Sequence, residues 1–162
     1  MGYVFDHYAL LYMLEQFPRS IATGPWALFE ECCRDNTIIS QREAQKSLDN
    51  DAVELSSLEW AKKNSGIFKP IGHSENNFLG IMMANKEFDF YENPRLAERR
   101  VPEAIPFILC MAKVQGRRYV YRKNTNTDVF NKITKICKSY EIDYIEVEEC
   151  LLCLKKEHPS EP

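Results

Sequence analysis

Short apolar runs alternate along this chain with longer stretches in which apolar residues recur every three or four positions. Tyr3-Val4-Phe5, ended by Asp6, reads as a first strand, and 8–16 follows as a helix with Leu10, Leu11, Leu14 and Phe17 on one face. Phe17-Pro18-Arg19 breaks that helix. A second helix starts around Pro25, with Thr23 or Gly24 at its cap and proline in a tolerated first-turn position, and carries Trp26, Leu28, Phe29 and Cys33 to a turn at Asp35-Asn36. Thr37-Ile38-Ile39 is a β-branched second strand. Ser40 stands at capping-box distance from Glu43 and is expected to open the next helix. Asp49-Asn50-Asp51 interrupts, and another helix runs through Val53, Leu55, Leu58, Trp60 and Ala61.

The stretch 64–77 is rich in Gly, Ser, Asn and Pro and reads as a loop. A helix is expected over 78–85, then loop with one helical turn over 86–100. Pro102-Glu103 opens an apolar helix, 104–114, with Gly116 as its C-cap. The stretch 117–121 is a strand, and 128–140 an amphipathic helix with Val129, Phe130, Ile133, Ile136 and Cys137 inward. The last strand is 143–145 and the last helix 147–154. Strands that alternate with helices pair in parallel through crossovers, so the pattern predicts an α/β fold: a short parallel sheet covered by helices in three layers. One domain is expected over 1–156, with 157–162 an unstructured tail.

Composition narrows the class. A 44% hydrophobic and 12% aromatic content in 162 residues suits one packed domain. The formal net charge of −3 supplies no overall positive field for nucleic acid. No apolar run approaches the roughly 20 residues of a membrane span, and no export signal precedes Asp6, so a cytoplasmic chain off the membrane is expected. Six cysteines then read as reduced thiols. Cys150 and Cys153 form a Cys-x-x-Cys on one helix face, and without a second pair they read as packing residues rather than a zinc site. The three histidines (His7, His73, His158) have no ligand spacing; His7 beside Asp6 reads as a turn histidine that follows the strand, with a general base as the alternative. Arg95, Arg99, Arg100, Arg117, Arg118, Arg122 and Lys123, interleaved with Tyr119 and Tyr121, form the densest basic set. Arg117, Arg118, Arg122 and Lys123 are the candidate nucleic-acid-binding residues, because guanidinium and aromatic groups suit phosphates and unstacked bases.

Several strings, in order, resemble the PIN fold, and within it a bacterial PIN-like family of unknown function. They are Tyr3-Val-Phe-Asp6, Trp26-Ala-Leu-Phe-Glu-Glu31, Ile38-Ile-Ser-Gln-Arg-Glu-Ala44, Trp60-Ala61, Ala104-Ile-Pro-Phe-Ile-Leu109 and Lys132-Ile-Thr-Lys-Ile-Cys-Lys138. The resemblance implies a cluster of acids that binds Mg²⁺ or Mn²⁺ and cleaves RNA, often as the toxin of a toxin–antitoxin pair. A hard cation wants several carboxylates, and it activates water while neutralising the phosphate.

Carried over residue by residue, the first acid is Asp6, but His7 and Tyr8 stand where Thr or Ser and then Asn are usual. Ser47 aligns with the second acid, and Glu43 lies one turn earlier on the same face. Ile105, in Ala104-Ile-Pro106, replaces the third acid; Glu103 is two residues away. Arg122, Lys123 and Asn124 stand at the fourth position, with Asp128 beyond, and the two cations there would repel a metal or pair with Asp6. Asp6, Glu43, Glu103 and Asp128 are therefore the candidate catalytic residues, with Asp6 the metal ligand if there is one. Two functions are expected. The first is a catalytically degenerate PIN-like protein, needing no cofactor, that binds RNA or a protein such as an antitoxin in a toxin–antitoxin or defence setting. The alternative is an active Mg²⁺- or Mn²⁺-dependent ribonuclease using the displaced acids. Members of that fold resemble one another in forming dimers, so a homodimer belongs to the same expectation.

Overall fold

The computed structural model of the chain describes residues 1–85, 103–123 and 127–159. Its centre is a five-stranded sheet in the order β3-β2-β1-β4-β5, every pairing parallel. The strands are β1 (Tyr3–Phe5), β2 (Ile38–Gln41), β3 (Phe68–Lys69), β4 (Arg118–Tyr121) and β5 (Tyr144–Glu146). Between them run α1 (His7–Leu11), α2 (Thr23–Arg34), α3 (Arg42–Asp51), α4 (Leu55–Lys63), α5 (His73–Ala84), α6 (Ala104–Gln115), α7 (Thr127–Ser139) and α8 (Val147–Glu157).

The central strand explains the layering. Tyr3, Val4 and Phe5 are each 0% exposed, as a strand with helices on both faces must be. Tyr3 and Phe5 join Leu10, Phe29, Trp60, Val120 and Leu154 in one apolar layer. Val4 points the other way, into a layer with Ile105, Ile108, Tyr119, Ile133 and Ile136. The two-residue period of a strand thus divides the core in two. Register places Val4 opposite Tyr119 and Phe5 opposite Val120, so Val4 and Tyr119 share a face.

The α/β class, the parallel sheet and the covering helices are as the pattern predicts; several details differ. The stretch expected to be one helix over 8–16 is α1 followed by a π-helical turn, Tyr12–Gln16, closed by Phe17 N–H to the Tyr12 carbonyl at 2.8 Å. Phe17 precedes a proline, which pushes it to extended backbone, and the Arg19 guanidinium takes up the Leu14 carbonyl. Thr23 and Gly24 do not cap α2; Ala22 is the cap residue and lends no side-chain bond.

Ser40 does not cap α3 either. It is the third residue of β2, and its hydroxyl donates to the Phe5 carbonyl at 2.7 Å, while Gln41 caps α3 through Glu43 N–H at 2.6 Å. The Asp49-Asn50-Asp51 stretch belongs to α3 rather than interrupting it. The helix expected through Val53, Leu55, Leu58, Trp60 and Ala61 is α4, which begins at Leu55, so Val53 precedes it; Val53 and Leu55 are 89% and 69% exposed. The expected loop over 64–77 contains a 3₁₀ turn, the two-residue β3 and the start of α5. A pair of residues is too short to show a period, so β3 leaves no mark in the sequence. Gly116 does close α6, with φ 62°, a left-handed conformation that glycine adopts without penalty. The expectations for 86–100, and for Arg95, Arg99 and Arg100 within it, lie outside the described residues. The last helix runs through Glu157, into the expected tail, and 160–162 are not described.

Candidate functional site

In an open parallel sheet ligands bind beyond the C-terminal strand ends, where the chain's direction of travel switches. The chain leaves β1 towards β2 and returns on the other side of β1 as β4, so the switch point lies between β1 and β4. Asp6, the first residue after β1, stands there. Its backbone N–H donates to the Val120 carbonyl at 3.1 Å and extends the ladder by one rung.

The Asp6 carboxylate is 1% exposed, and both of its oxygens are engaged. Oδ1 accepts the Ala9 N–H at 2.8 Å, the usual bond of a helix N-cap to the third residue of its helix. Oδ2 accepts the Tyr119 hydroxyl at 2.6 Å. Burial pushes the Asp6 carboxyl up to about 7, against the downward pull of Tyr119 and of the α1 amides. The Tyr119 phenol is raised well above its ordinary value, first by burial and then by Asp6. Both groups therefore favour their neutral forms. Tyr119 did not enter the sequence reading as a partner of Asp6, because it reaches the carboxylate only through the β1–β4 register.

The remaining acids do not converge on Asp6. Glu43 spans the Lys46 ammonium at 3.0 and 3.1 Å, and the Ser47 hydroxyl donates to the Glu43 carbonyl. Glu103 is exposed ahead of α6, and Ile105 is 0% exposed in the core. Asp128 is exposed in the first turn of α7. Among the described residues no three His, Cys, Asp or Glu side chains come together as a metal-ion site. The Mg²⁺ or Mn²⁺ implied by the resemblance does not fit these residues, since the one acid at its expected place has its oxygens committed to internal donors.

Arg122 and Lys123 do not pair with Asp6. Arg122 bonds Glu148 at 3.0 Å, lies 3.5 Å from Glu146 and stacks over Tyr12 with its guanidinium carbon 4.2 Å from the ring centre. Lys123 places its ammonium 5.7 Å from the Phe130 ring centre. Arg117 and Arg118 lie at the opposite end of β4. Arg117 is bound to the Asn36 and Thr37 carbonyls and to Gln115, and Arg118 to Asp143 at 2.6 Å. The four candidate nucleic-acid residues therefore divide between the two ends of the sheet, and at least three have internal partners.

His7 is the first residue of α1 rather than part of a turn; it is buried, and its Nε2 lies 3.1 Å from Asp51 Oδ2. Burial lowers its basicity while Asp51 opposes that shift. Among the described residues no hydrogen-bond partner reaches its Nδ1. Glu15 was also missed by sequence reasoning. Its Oε1 accepts the Val53 and Glu54 amides and the Ser57 hydroxyl at 2.9, 3.0 and 3.0 Å, capping α4 from outside. The cysteines are free thiols, and burial pushes Cys32 up to about 11 and Cys110 and Cys137 up to about 12, away from nucleophilic behaviour. Cys150 is buried and Cys153 partly so, as packing residues of α8.

The arrangement defines a parallel α/β domain whose switch point is filled by a carboxyl–phenol pair. Residues 3–157 match a family model described as Domain of unknown function (DUF4411), and the chain belongs to that family. No curated protein matches it.

Two outcomes follow from the Asp6 pair. Between the ordinary carboxylate value of 3.8 and about 7, the folded chain holds a proton on Asp6 that the unfolded chain has released. Asp6 therefore contributes less stability as pH rises through this window, by up to ~4 kcal/mol in all. Asparagine can keep both bonds without titrating. The melting temperature of the native chain minus that of Asp6→Asn should accordingly fall between pH 4 and pH 7, and a flat difference would contradict the burial argument. Tyr119→Phe leaves Oδ2 buried without a donor and should cost about 1–3 kcal/mol in urea unfolding, more at pH 8 than at pH 5.

Proposed function

We propose that this chain is a PIN-like domain without a nuclease centre, which acts by binding a protein partner in a toxin–antitoxin or defence setting. The observation that carries the reading is the commitment of both Asp6 oxygens to Ala9 and Tyr119 in a buried pair. A nuclease of this kind needs several carboxylates open to one cation. Here Ile105 contributes an apolar side chain, Glu43 is paired with Lys46, and Glu103 and Asp128 are exposed on other elements.

A protein partner is favoured over RNA by the electrostatics. Binding to nucleic acid draws mostly on cations free to neutralise phosphates. Arg118 and Arg122 already face Asp143, Glu146 and Glu148, and Arg117 is spent on backbone carbonyls. Breaking such contacts to recruit phosphates would offset much of the gain.

Titration calorimetry with Mn²⁺ should find no site tighter than roughly millimolar, and the chain should leave single-stranded RNA intact. A tight site abolished by Asp6→Asn would overturn the reading in favour of the ribonuclease alternative. Affinity purification with and without ribonuclease treatment separates the two binding modes. A protein retained after treatment is expected, whereas retention only of RNA would reverse the choice of partner.

A further inference from the structure

At the end of β4 opposite Asp6, where the strand begins at Arg118, there is a cavity of about 180 Å³. Its charged lining comes from the last turn of α6 (Lys113), the start of β4 (Arg117 and Arg118) and the link from α7 to β5 (Glu141 and Asp143). Three cations and two carboxylates thus meet in one small space. Arg118 and Asp143 offset each other through their 2.6 Å contact. Lys113 and Arg117 are left against Glu141 alone, so the cavity carries one positive charge in excess.

Arg117 is the member that the fold alone does not account for. Burial works against its charge, and a charge withdrawn from water normally meets an opposite one. Among the described residues no carboxylate reaches it. Its Nη1 donates to the Asn36 and Thr37 carbonyls at 3.0 and 3.2 Å, and its Nε to the Gln115 side-chain oxygen at 3.1 Å. All three acceptors are neutral. Gly2 leaves the room this pose needs, since a Cβ there would stand 2.6 Å from Arg117 Nη1. The guanidinium is therefore fixed in place with Nη2 outside these bonds. Lys113, half-buried, has no partner among the described residues either. The carbonyl end of α6 makes little call on these cations, because the Gly116 and Arg117 amides already bond the Lys113 and Ala112 carbonyls.

We propose that this cavity is an anion site that binds inorganic phosphate, with Lys113, Arg117 and Arg118 as its donors. The bonds that Arg117 and Arg118 already make need not break, because their remaining N–H groups and the Lys113 ammonium are the ones offered. Donors arriving from three positions of the chain suit a tetrahedral oxyanion better than a planar carboxylate, which presents two oxygens in one plane. Size sets an upper bound. The cavity is smaller than the roughly 300 Å³ at which pockets for larger organic ligands begin, so a phosphate group fits and a nucleotide does not. The site lies at the far end of the sheet from Asp6 and does not depend on what Asp6 does.

Amide chemical shifts of the full chain, followed by NMR as sodium phosphate is added at neutral pH and constant ionic strength, test the site. Saturable changes centred on Gly116, Arg118 and Glu141 are expected, with a Kd of about 0.1–1 mM. Changes that do not saturate, or that scatter over the surface, overturn the proposal. Lys113→Gln should weaken binding at least about fivefold without moving the melting temperature. Glu141→Gln removes the opposing carboxylate and should tighten binding about two- to fivefold. An affinity that neither variant changes would mean that the ion sits elsewhere. Acetate should bind at least about tenfold more weakly than phosphate. Equal affinity for the two would assign the cavity to a carboxylate and overturn the choice of ligand.

Discussion

The buried hydrogen bond between Tyr119 and Asp6 is the constraint on which the upper end of this sheet depends. One carboxyl starts α1 through Ala9 and ties β4 to β1 beyond the last backbone rung. On the other flank the Ser40 hydroxyl of β2 donates to the Phe5 carbonyl. The three central strands are thus fastened at their C-terminal ends by side chains on both sides of β1. A parallel sheet normally leaves that edge for ligands, because the strand ends and the switch point create a crevice there. Here Asp6, Tyr119 and Ser40 turn their polar groups inward and pair them within the fold, so what positions a site in other sheets holds this one together.

The surface charges follow a similar arrangement. Arg118 with Asp143, Arg122 with Glu146 and Glu148, and Lys46 with Glu43 form close pairs, partly or largely exposed. Pairs of this kind add little stability. Their larger consequence is for recognition, since each removes a cation from the field that an incoming phosphate would feel. Together with a net charge of −3, this leaves exposed apolar side chains as the more distinctive surface feature. Leu152, Ile21, Val53 and Leu55 are all more than half exposed.

The elements legible in the sequence were those with a period or a specific backbone demand. Tyr3-Val4-Phe5 showed as a strand because all three side chains are buried, and Gly116 showed as a cap because its φ is positive. Ile105 showed that one expected ligand was missing, since no packing can turn an isoleucine into one. What stayed hidden depends on contacts between distant residues. Tyr119 meets Asp6 only through parallel register, and Asp51 meets His7 only because α3 ends beside α1. Ser40 misled for a local reason: a hydroxyl three residues before a glutamate caps a helix if it stands at the helix start, but β2 runs one residue further and gives the cap to Gln41. The π-helical turn was equally invisible, because the bond that closes it runs from Phe17 back five residues to Tyr12 and a single such turn leaves no period in the sequence.

Asp6 also separates what an architecture needs from what a chemistry needs. An asparagine would accept the Ala9 amide and present its own amide to the Tyr119 oxygen, with no ionisation to suppress. The carboxyl makes the same two contacts at the cost of burying a group that prefers water, and this is why its proton is held to about pH 7. The sheet therefore carries at its switch point an acid that the packing tolerates rather than requires. The phenol that satisfies it occupies one of the two oxygens any cation would have to use. In this chain the carboxyl at the switch point is held from inside the fold, by a helix amide on one oxygen and a phenol on the other.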